Sequence, residues 1–119
     1  MKFLTRKIVM PPDLNSGGAL FGGTCLSWID EAAAIFVMAE VKHYKVVTKK
    51  MSEINFIAPA FQNDIVEIGV GLKRLGKTSI TVEVEVRNLK TQQTIVNVDE
   101  IVFVCLDENN KPTKHNLLK

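Results

Sequence analysis

The chain has 119 residues, of which 46% are apolar and 24% are charged, and its formal net charge is +2. This length leaves room for one domain, and the apolar fraction suffices for a folded core, so extensive disorder is excluded. A net charge this small does not by itself favour nucleic acid as a partner.

The sequence shows no pattern that predicts a targeting segment or a membrane span. Residues 1–10 are interrupted by basic side chains and contain no apolar run of signal-peptide length. No stretch approaches the roughly twenty apolar residues of a membrane span. Cys25 and Cys105 lack metal-ligand spacing and lie in apolar surroundings, which predicts reduced, buried thiols. The sequence therefore predicts a cytoplasmic protein that neither crosses nor binds a membrane.

The first half of the chain predicts a strand, a loop and one long helix. A short strand is expected over residues 3–10, ended by two prolines, and residues 11–23 carry four glycines and should form a loop. The next segment lacks glycine and proline, which predicts a helix over residues 24–42 with Thr24 as its N-cap. Because this helix is apolar almost all round, we expect it inside the protein.

The second half predicts four strands that wrap this helix. Alternating or β-branched patterns cover residues 46–58, 65–73, 80–87 and about 94–106, and a turn at 75–77 joins the middle two as a hairpin. Residues 112–119 are expected to be a frayed tail. The prediction is one α+β domain over residues 1–119, with a curved, mostly antiparallel five-stranded sheet around one long central helix.

Three polar side chains interrupt the apolar helix and fall within one arc of it: Ser27, Asp30 and Glu31. Gly23 lies on the same arc and has no side chain, so a ligand or another backbone can approach this polar face closely. Partial desolvation suits a carboxylate to act as a base near neutral pH, which makes Asp30 the candidate. The alternative is that both acids simply favour the first turns of the helix through its dipole, and this is the preferred interpretation of Glu31.

Paired glycines at the expected helix start offer free backbone N–H groups where an oxyanion could be stabilised, although a tight turn without chemistry is also common. The segment 17–24 resembles a phosphate loop, but Gly23 occupies the position of the required lysine. Ser27 and His43 are too far apart along a helix to form a triad with Asp30. Neither of the two histidines, His43 and His115, has a metal-ligand partner.

Basic residues cluster in residues 42–50 and 73–77. The two clusters are either solvated strand ends or an anion site for a phosphorylated small ligand. No aromatic residues alternate with them, so a platform for single-stranded nucleic acid is not indicated.

Short motifs along nearly the whole chain resemble those of the acyl-CoA thioesterase family with the hotdog fold. They are MPPDLN at 10–15, LFGG at 20–23, SWID at 27–30, VVT at 46–48, NF at 55–56, GKTS at 76–79 and LDE at 106–108. The combination of Asn15, the segment 21–23 and Asp30 is the specific part of this resemblance.

The resemblance implies an enzyme that hydrolyses acyl-CoA to a fatty acid and CoA, with no cofactor beyond the CoA of its substrate. It implies a homodimer at least, commonly a hexamer, with two active sites across the dimer interface. Asp30 would act as general base or nucleophile, and the Gly23 amide would bind the carbonyl oxygen. Asn15 would orient substrate or water, and Thr48 would assist from the partner subunit.

The basic turn near residue 76 then becomes a candidate site for the CoA phosphates, through Arg74, Lys77, Thr78 and Ser79. Two rival functions remain on the same fold. A non-enzymatic acyl-CoA sensor would not need Asp30, and a hydroxyacyl dehydratase would need a histidine near the helix start, where this sequence has none.

Overall fold

The computed structural model describes residues 1–117 and contains one long helix and five strands. The helix α1 (Gly22–Val41) follows a 3₁₀ turn at Pro11–Asp13. The strands are β1 (Lys2–Ile8), β2 (Val46–Phe56), β3 (Ile65–Leu75), β4 (Ser79–Asn88) and β5 (Thr94–Cys105).

The five strands form one curved sheet in the order β1-β3-β4-β5-β2, and every neighbouring pair is antiparallel. The predicted α+β architecture and the β3–β4 hairpin are therefore confirmed. β1 and β2 are the two edges of the sheet, so β2 has no neighbouring strand on its outer side within the described chain.

The helix begins two residues earlier than the sequence predicts. Phe21, with extended backbone, is the N-cap, and it makes no side-chain capping hydrogen bond; Thr24 lies in the first turn instead. The backbone before the helix is fixed by other parts of the chain: the Phe21 N–H donates to the Asp13 carbonyl at 2.8 Å, and the Leu20 N–H to the Ala60 carbonyl at 2.8 Å. These long-range bonds outweigh the low helix propensity of Gly22 and Gly23.

The sheet covers one side of α1, and that side is the core. The helical residues buried against the sheet are Cys25, Ile29, Ala32, Ala33, Val37 and Val41. The predicted packing of a central helix against a curved sheet is confirmed, but one sheet covers only one side of it: the apolar Ile35 is 57% exposed on the far side.

The face of the sheet away from the helix carries an ion cluster around one buried glutamate. Glu67 is 3% exposed, accepts a 2.7 Å hydrogen bond from Arg87 Nε, and lies 3.6 Å from Arg6 Nε. The hydrogen bond from Arg87 holds the pKa of this carboxyl below its ordinary value, against the opposing effect of burial. The guanidinium of Arg87 also lies over the ring of Phe3 at 3.5 Å.

The segment 112–117, here called the C-terminal segment, docks onto the domain. The Thr113 N–H donates to the Cys105 carbonyl at 2.9 Å, Asn116 Nδ2 to the Val41 carbonyl at 3.0 Å, and His115 is only 5% exposed. The prediction of a frayed tail was wrong for these residues because their polar groups find fixed partners on β5 and α1. Residues 118–119 lie outside the described part. Within residues 1–117, no helix has the length and apolar character required to cross a membrane.

Replacing Glu67 with glutamine should lower the free energy of unfolding by about 2 kcal/mol at pH 7, because Arg87 loses a charged acceptor. The folded-state pKa of Glu67 is lowered, so its carboxylate stabilises the fold above the ordinary glutamate pKa. This contribution is lost as pH falls through the lowered pKa. Urea unfolding of wild type and Glu67→Gln between pH 7 and pH 2 should therefore show the two curves converging in acid. Glu83→Gln, on the same face and without an ion-pair partner in residues 1–117, is the matched control. A constant difference at every pH would contradict this account.

Candidate active site

A hydrogen-bonded pair joins the middle of α1 to the start of β2. Thr48 Oγ1 donates to Asp30 Oδ1 at 2.6 Å, a short distance that is typical of a hydroxyl bonded to a carboxylate. Asp30 is half-buried and Thr48 is exposed, so the pair lies at the border between the core and the surface. The other carboxylate oxygen, Oδ2, has no hydrogen-bond partner within residues 1–117 and can accept a proton from outside.

The register of β2 explains why Thr48 faces the helix. Thr48 lies opposite Phe103, whose side chain is fully buried on the helix side of the sheet. A bulge between Thr48 and Lys50 shifts the register directly after this residue, and bulges commonly redirect side chains beside active sites. The resemblance implies that Thr48 comes from a partner subunit, whereas in this structure Thr48 of the same chain reaches Asp30.

Gly23 lies in the first turn of α1, where backbone N–H groups have no partner within the helix. The Cys25 N–H donates to the Phe21 carbonyl at 3.0 Å. The N–H groups of residues 22–24 have no backbone acceptor within residues 1–117 and can donate to a ligand. Gly23 and Asp30 share one face of the helix but are seven residues apart, which is about 10 Å along the axis. One reacting carbonyl group cannot be about 3 Å from both groups of a single chain.

Asn15 shapes the loop before the helix. Its Oδ1 accepts hydrogen bonds from the N–H groups of Gly17 at 2.9 Å and Ala19 at 3.1 Å, and its own N–H donates to the Ala19 carbonyl at 2.7 Å. The side chain is exposed, and no hydrogen bond within residues 1–117 joins it to Asp30. Its Nδ2 group therefore remains available to a ligand at the surface.

Two aromatic rings, to which the sequence analysis assigned no role at the site, lie beside the helix start. A Cβ atom on Gly22 would lie 3.2 Å from the ring of Phe56, and one on Gly23 would lie 2.9 Å from the ring of Phe21. Both rings are more than half exposed, at 58% and 54%. Only the folded chain shows this, because Phe56 is more than thirty residues away in sequence. The absence of side chains on the two glycines keeps the helix amides close to an apolar surface.

The four residues proposed for phosphate binding do not form one group. Arg74 lies opposite Thr81, on the face of the sheet away from α1, and its Nη2 is 3.0 Å from Glu100 Oε1. Lys77 is exposed in the turn that follows β3, with Thr78 and Ser79 next to it. No ion pair within residues 1–117 involves Lys77, whereas the charge of Arg74 is already partnered.

The remaining reactive side chains face elsewhere. Both cysteines are buried, and burial raises the pKa of Cys25 to about 11 and also raises the pKa of Cys105, which makes neither a thiolate nucleophile. His43 Nε2 contacts the Leu106 carbonyl at 2.7 Å, and His115 Nε2 contacts the Gly76 carbonyl. Within the described residues, histidine, cysteine and acidic side chains form no cluster of three or more that could hold a metal ion.

Comparison with known proteins identifies the family. The family model described as thioesterase superfamily matches residues 17–95. The acyl-CoA thioester hydrolase YciA of Escherichia coli K12 is 33% identical over 113 residues, which cover 90% of this chain and 85% of that protein.

Two solved structures have the same fold. A hexameric thioesterase from Yersinia pestis is 27% identical, covers 97% of this chain and 95% of its own, and superposes with a TM-score of 0.89. An acyl-CoA hydrolase from Staphylococcus aureus, solved with butyryl-CoA and CoA, is 30% identical with a TM-score of 0.83, over 93% of this chain and 66% of that one. The match of the family model to most of the chain, together with this fold, shows that the chain is a thioester hydrolase that belongs to the hotdog-fold acyl-CoA thioesterase family.

Proposed function

We propose that the protein hydrolyses acyl-CoA to a carboxylic acid and CoA, and that Asp30 is the catalytic carboxylate. The contact between Asp30 and Thr48 carries this proposal. One carboxylate oxygen is fixed by the threonine hydroxyl, so the other keeps a constant orientation towards the substrate side. A half-buried, oriented carboxylate is suited to act on water or directly on a thioester.

As a general base, Asp30 takes a proton from water while the water oxygen forms a bond to the thioester carbonyl carbon. The resulting tetrahedral intermediate collapses when the carbon–sulfur bond breaks, and the departing thiolate takes the proton from Asp30. As a nucleophile, Asp30 would instead attack the carbonyl carbon and displace the CoA thiolate, forming a mixed anhydride that water then cleaves. A single turnover in ¹⁸O-labelled water that leaves label in the aspartate would identify the anhydride route, because the general-base route places label only in the product acid.

The oxyanion donor in this proposal is the Gly23 amide of a second subunit. Within one chain Gly23 and Asp30 are about 10 Å apart along the helix, which excludes their joint action on one carbonyl group. A two-fold dimer that sets two α1 helices antiparallel would bring Gly23 of each chain to Asp30 of the other. Thr48 stays with Asp30 of its own chain. The exposed apolar side of α1 and the unpaired edge of β2 supply surfaces for such an assembly.

The similarity to a hexameric thioesterase supports at least a homodimer and favours a hexamer. Asn15 Nδ2 would orient the substrate or the water at the same centre. We also propose that the reaction uses no cofactor other than the CoA of its substrate, since the carboxylate and the amide account for every step. Two buried thiols support a reducing, cytoplasmic location.

The CoA phosphates are proposed to bind at the turn between β3 and β4, through Lys77, Thr78 and Ser79. The register supports this: Thr48 lies opposite Phe103, which lies opposite Ile80 directly after the turn. Two strand spacings, about 10 Å, therefore separate the catalytic pair from the turn laterally, a gap that a pantetheine arm spans. Arg74 would have to exchange Glu100 for phosphate to take part.

The two rival functions have less support. A hydroxyacyl dehydratase needs a histidine at the reacting centre, but the ring nitrogens Nε2 of His43 and His115 are both occupied by backbone carbonyl groups. A non-enzymatic sensor would give no reason for the short bond between Thr48 and Asp30.

Asp30→Asn should lower kcat for every acyl-CoA in a panel of short to long chains by about 10²–10⁴-fold, because the amide cannot take a proton from water. The fold should survive, since the asparagine oxygen can still accept the Thr48 hydrogen bond. Thiol release monitored with a chromogenic reagent measures the loss. Glu31→Gln, the neighbouring exposed helical acid, is the control and should keep wild-type activity. Undiminished hydrolysis by Asp30→Asn would remove Asp30 from the mechanism.

Thr48→Val should lower kcat by about tenfold, because the carboxylate loses the hydrogen bond that orients it. Thr48→Ser keeps the hydroxyl and should retain most of the activity. If valine and serine variants were equally active in the same assay, the hydrogen bond would have no part in catalysis.

Gly23→Pro removes the proposed oxyanion donor at a first-turn position where the helix does not need the N–H. Gly23→Ala keeps the N–H and controls for added bulk against Phe21. Alone, Gly23→Pro and Asp30→Asn should both be inactive. After co-refolding in equal amounts, random pairing should restore about a quarter of wild-type activity, because half of the dimers carry one intact site of two. No recovery, with mixed dimers verified by mass spectrometry, would place both groups in one subunit.

A further inference from the structure

The turn between β3 and β4 is held by its carbonyl groups. His115 Nε2 donates to the Gly76 carbonyl, and the backbone N–H of His115 donates to the Lys77 carbonyl at 3.3 Å. The Thr78 carbonyl accepts from the Cys105 N–H at 3.0 Å. All three carbonyl oxygens of the turn therefore have partners, and one residue of the C-terminal segment supplies two of the three donors.

These bonds determine where the amide hydrogens of the turn point. In a trans peptide the N–H of each residue points opposite to the carbonyl of the residue before it. Fixing the carbonyls of Gly76 and Lys77 on His115 thus directs the N–H groups of Lys77 and Thr78 away from the C-terminal segment. Neither of these two N–H groups donates to any group within residues 1–117.

His115 is itself held in one orientation. It is 5% exposed, and its Nδ1 accepts a hydrogen bond from the Leu117 N–H at 3.2 Å. Nδ1 therefore carries no proton, so the ring is the neutral tautomer that donates from Nε2. The next residue, Asn116, bonds to the last turn of α1 through the Val41 carbonyl, which anchors the segment to the helix that carries Asp30.

We propose that His115 is a positioning residue for CoA binding, which rests on the proposed function of this turn. By fixing two successive peptide planes, it makes the amides of Lys77 and Thr78 converge with the Lys77 ammonium and the nearby hydroxyls. Successive backbone amides that point to one side form a concave site for anions such as phosphate. His115 does not touch the ligand; it determines how strongly the turn binds the nucleotide phosphates.

The test measures CoA affinity by calorimetry and steady-state hydrolysis for wild type, His115→Ala, His115→Gln and His43→Ala. His115→Ala should weaken CoA binding about five- to twentyfold and raise KM for acyl-CoA by a similar factor, with kcat changed less than about twofold. His115→Gln should recover most of the affinity, because its amide can donate to the Gly76 carbonyl. His43→Ala removes the other histidine that contacts a carbonyl, and should bind CoA as wild type does.

An acyl-pantetheine substrate, which lacks the nucleotide and its phosphates, separates positioning from general loss of structure. The KM of His115→Ala for this substrate should equal that of wild type. Equal losses with both substrates, or wild-type CoA affinity in His115→Ala, would overturn the proposal. A failure of the proposed hydrolase function would give a different result. Wild type would still bind CoA and His115→Ala would still weaken that binding, but no thiol would be released from any acyl-CoA.

Discussion

One sheet covers one side of one helix, and the other features of the molecule follow from this arrangement. The buried side of α1 packs on β-branched residues of the sheet, while the opposite side remains exposed, including the apolar Ile35. Asp30 lies at the border between the two sides, partly desolvated by the core and open to a ligand. A helix fully surrounded by protein would have no such border, and a fully exposed one would leave its carboxylate solvated.

In the proposed mechanism, the same geometry makes one chain incomplete as a catalyst. The helix presents its unpaired amides at its first turn and its carboxylate two turns later on the same face, about 10 Å away. A rigid helix cannot bring these groups together, whereas the proposed two-fold pairing of helices would join each to its counterpart. The exposed side of α1 and the free edge of β2 would then share an explanation in the proposed assembly.

The C-terminal segment and the β3–β4 turn are joined through backbone carbonyl groups rather than through reactive side chains. The C-terminal segment has no chemistry of its own, yet it binds the carbonyls of the β3–β4 turn and anchors to the end of α1. The helix that carries Asp30 and the β3–β4 turn are thereby parts of one connected scaffold. At the opposite end of the helix, the aromatic rings of Phe56 and Phe21 lie beside Gly22 and Gly23.

The sequence by itself determined the element order and the α+β class, because hydrophobic periodicity and glycine placement are local signals. It also singled out the helix face that carries Asp30 as the candidate site. Strand limits were predicted within a few residues, and the β3–β4 hairpin was correct. The helix start, the Thr48 contact and the docked C-terminal segment required the tertiary structure. Each depends on hydrogen bonds between residues far apart in sequence: Leu20 with Ala60, Asp30 with Thr48, and His115 with Gly76. Local propensity carries no information about such partners, so only the folded chain decides them.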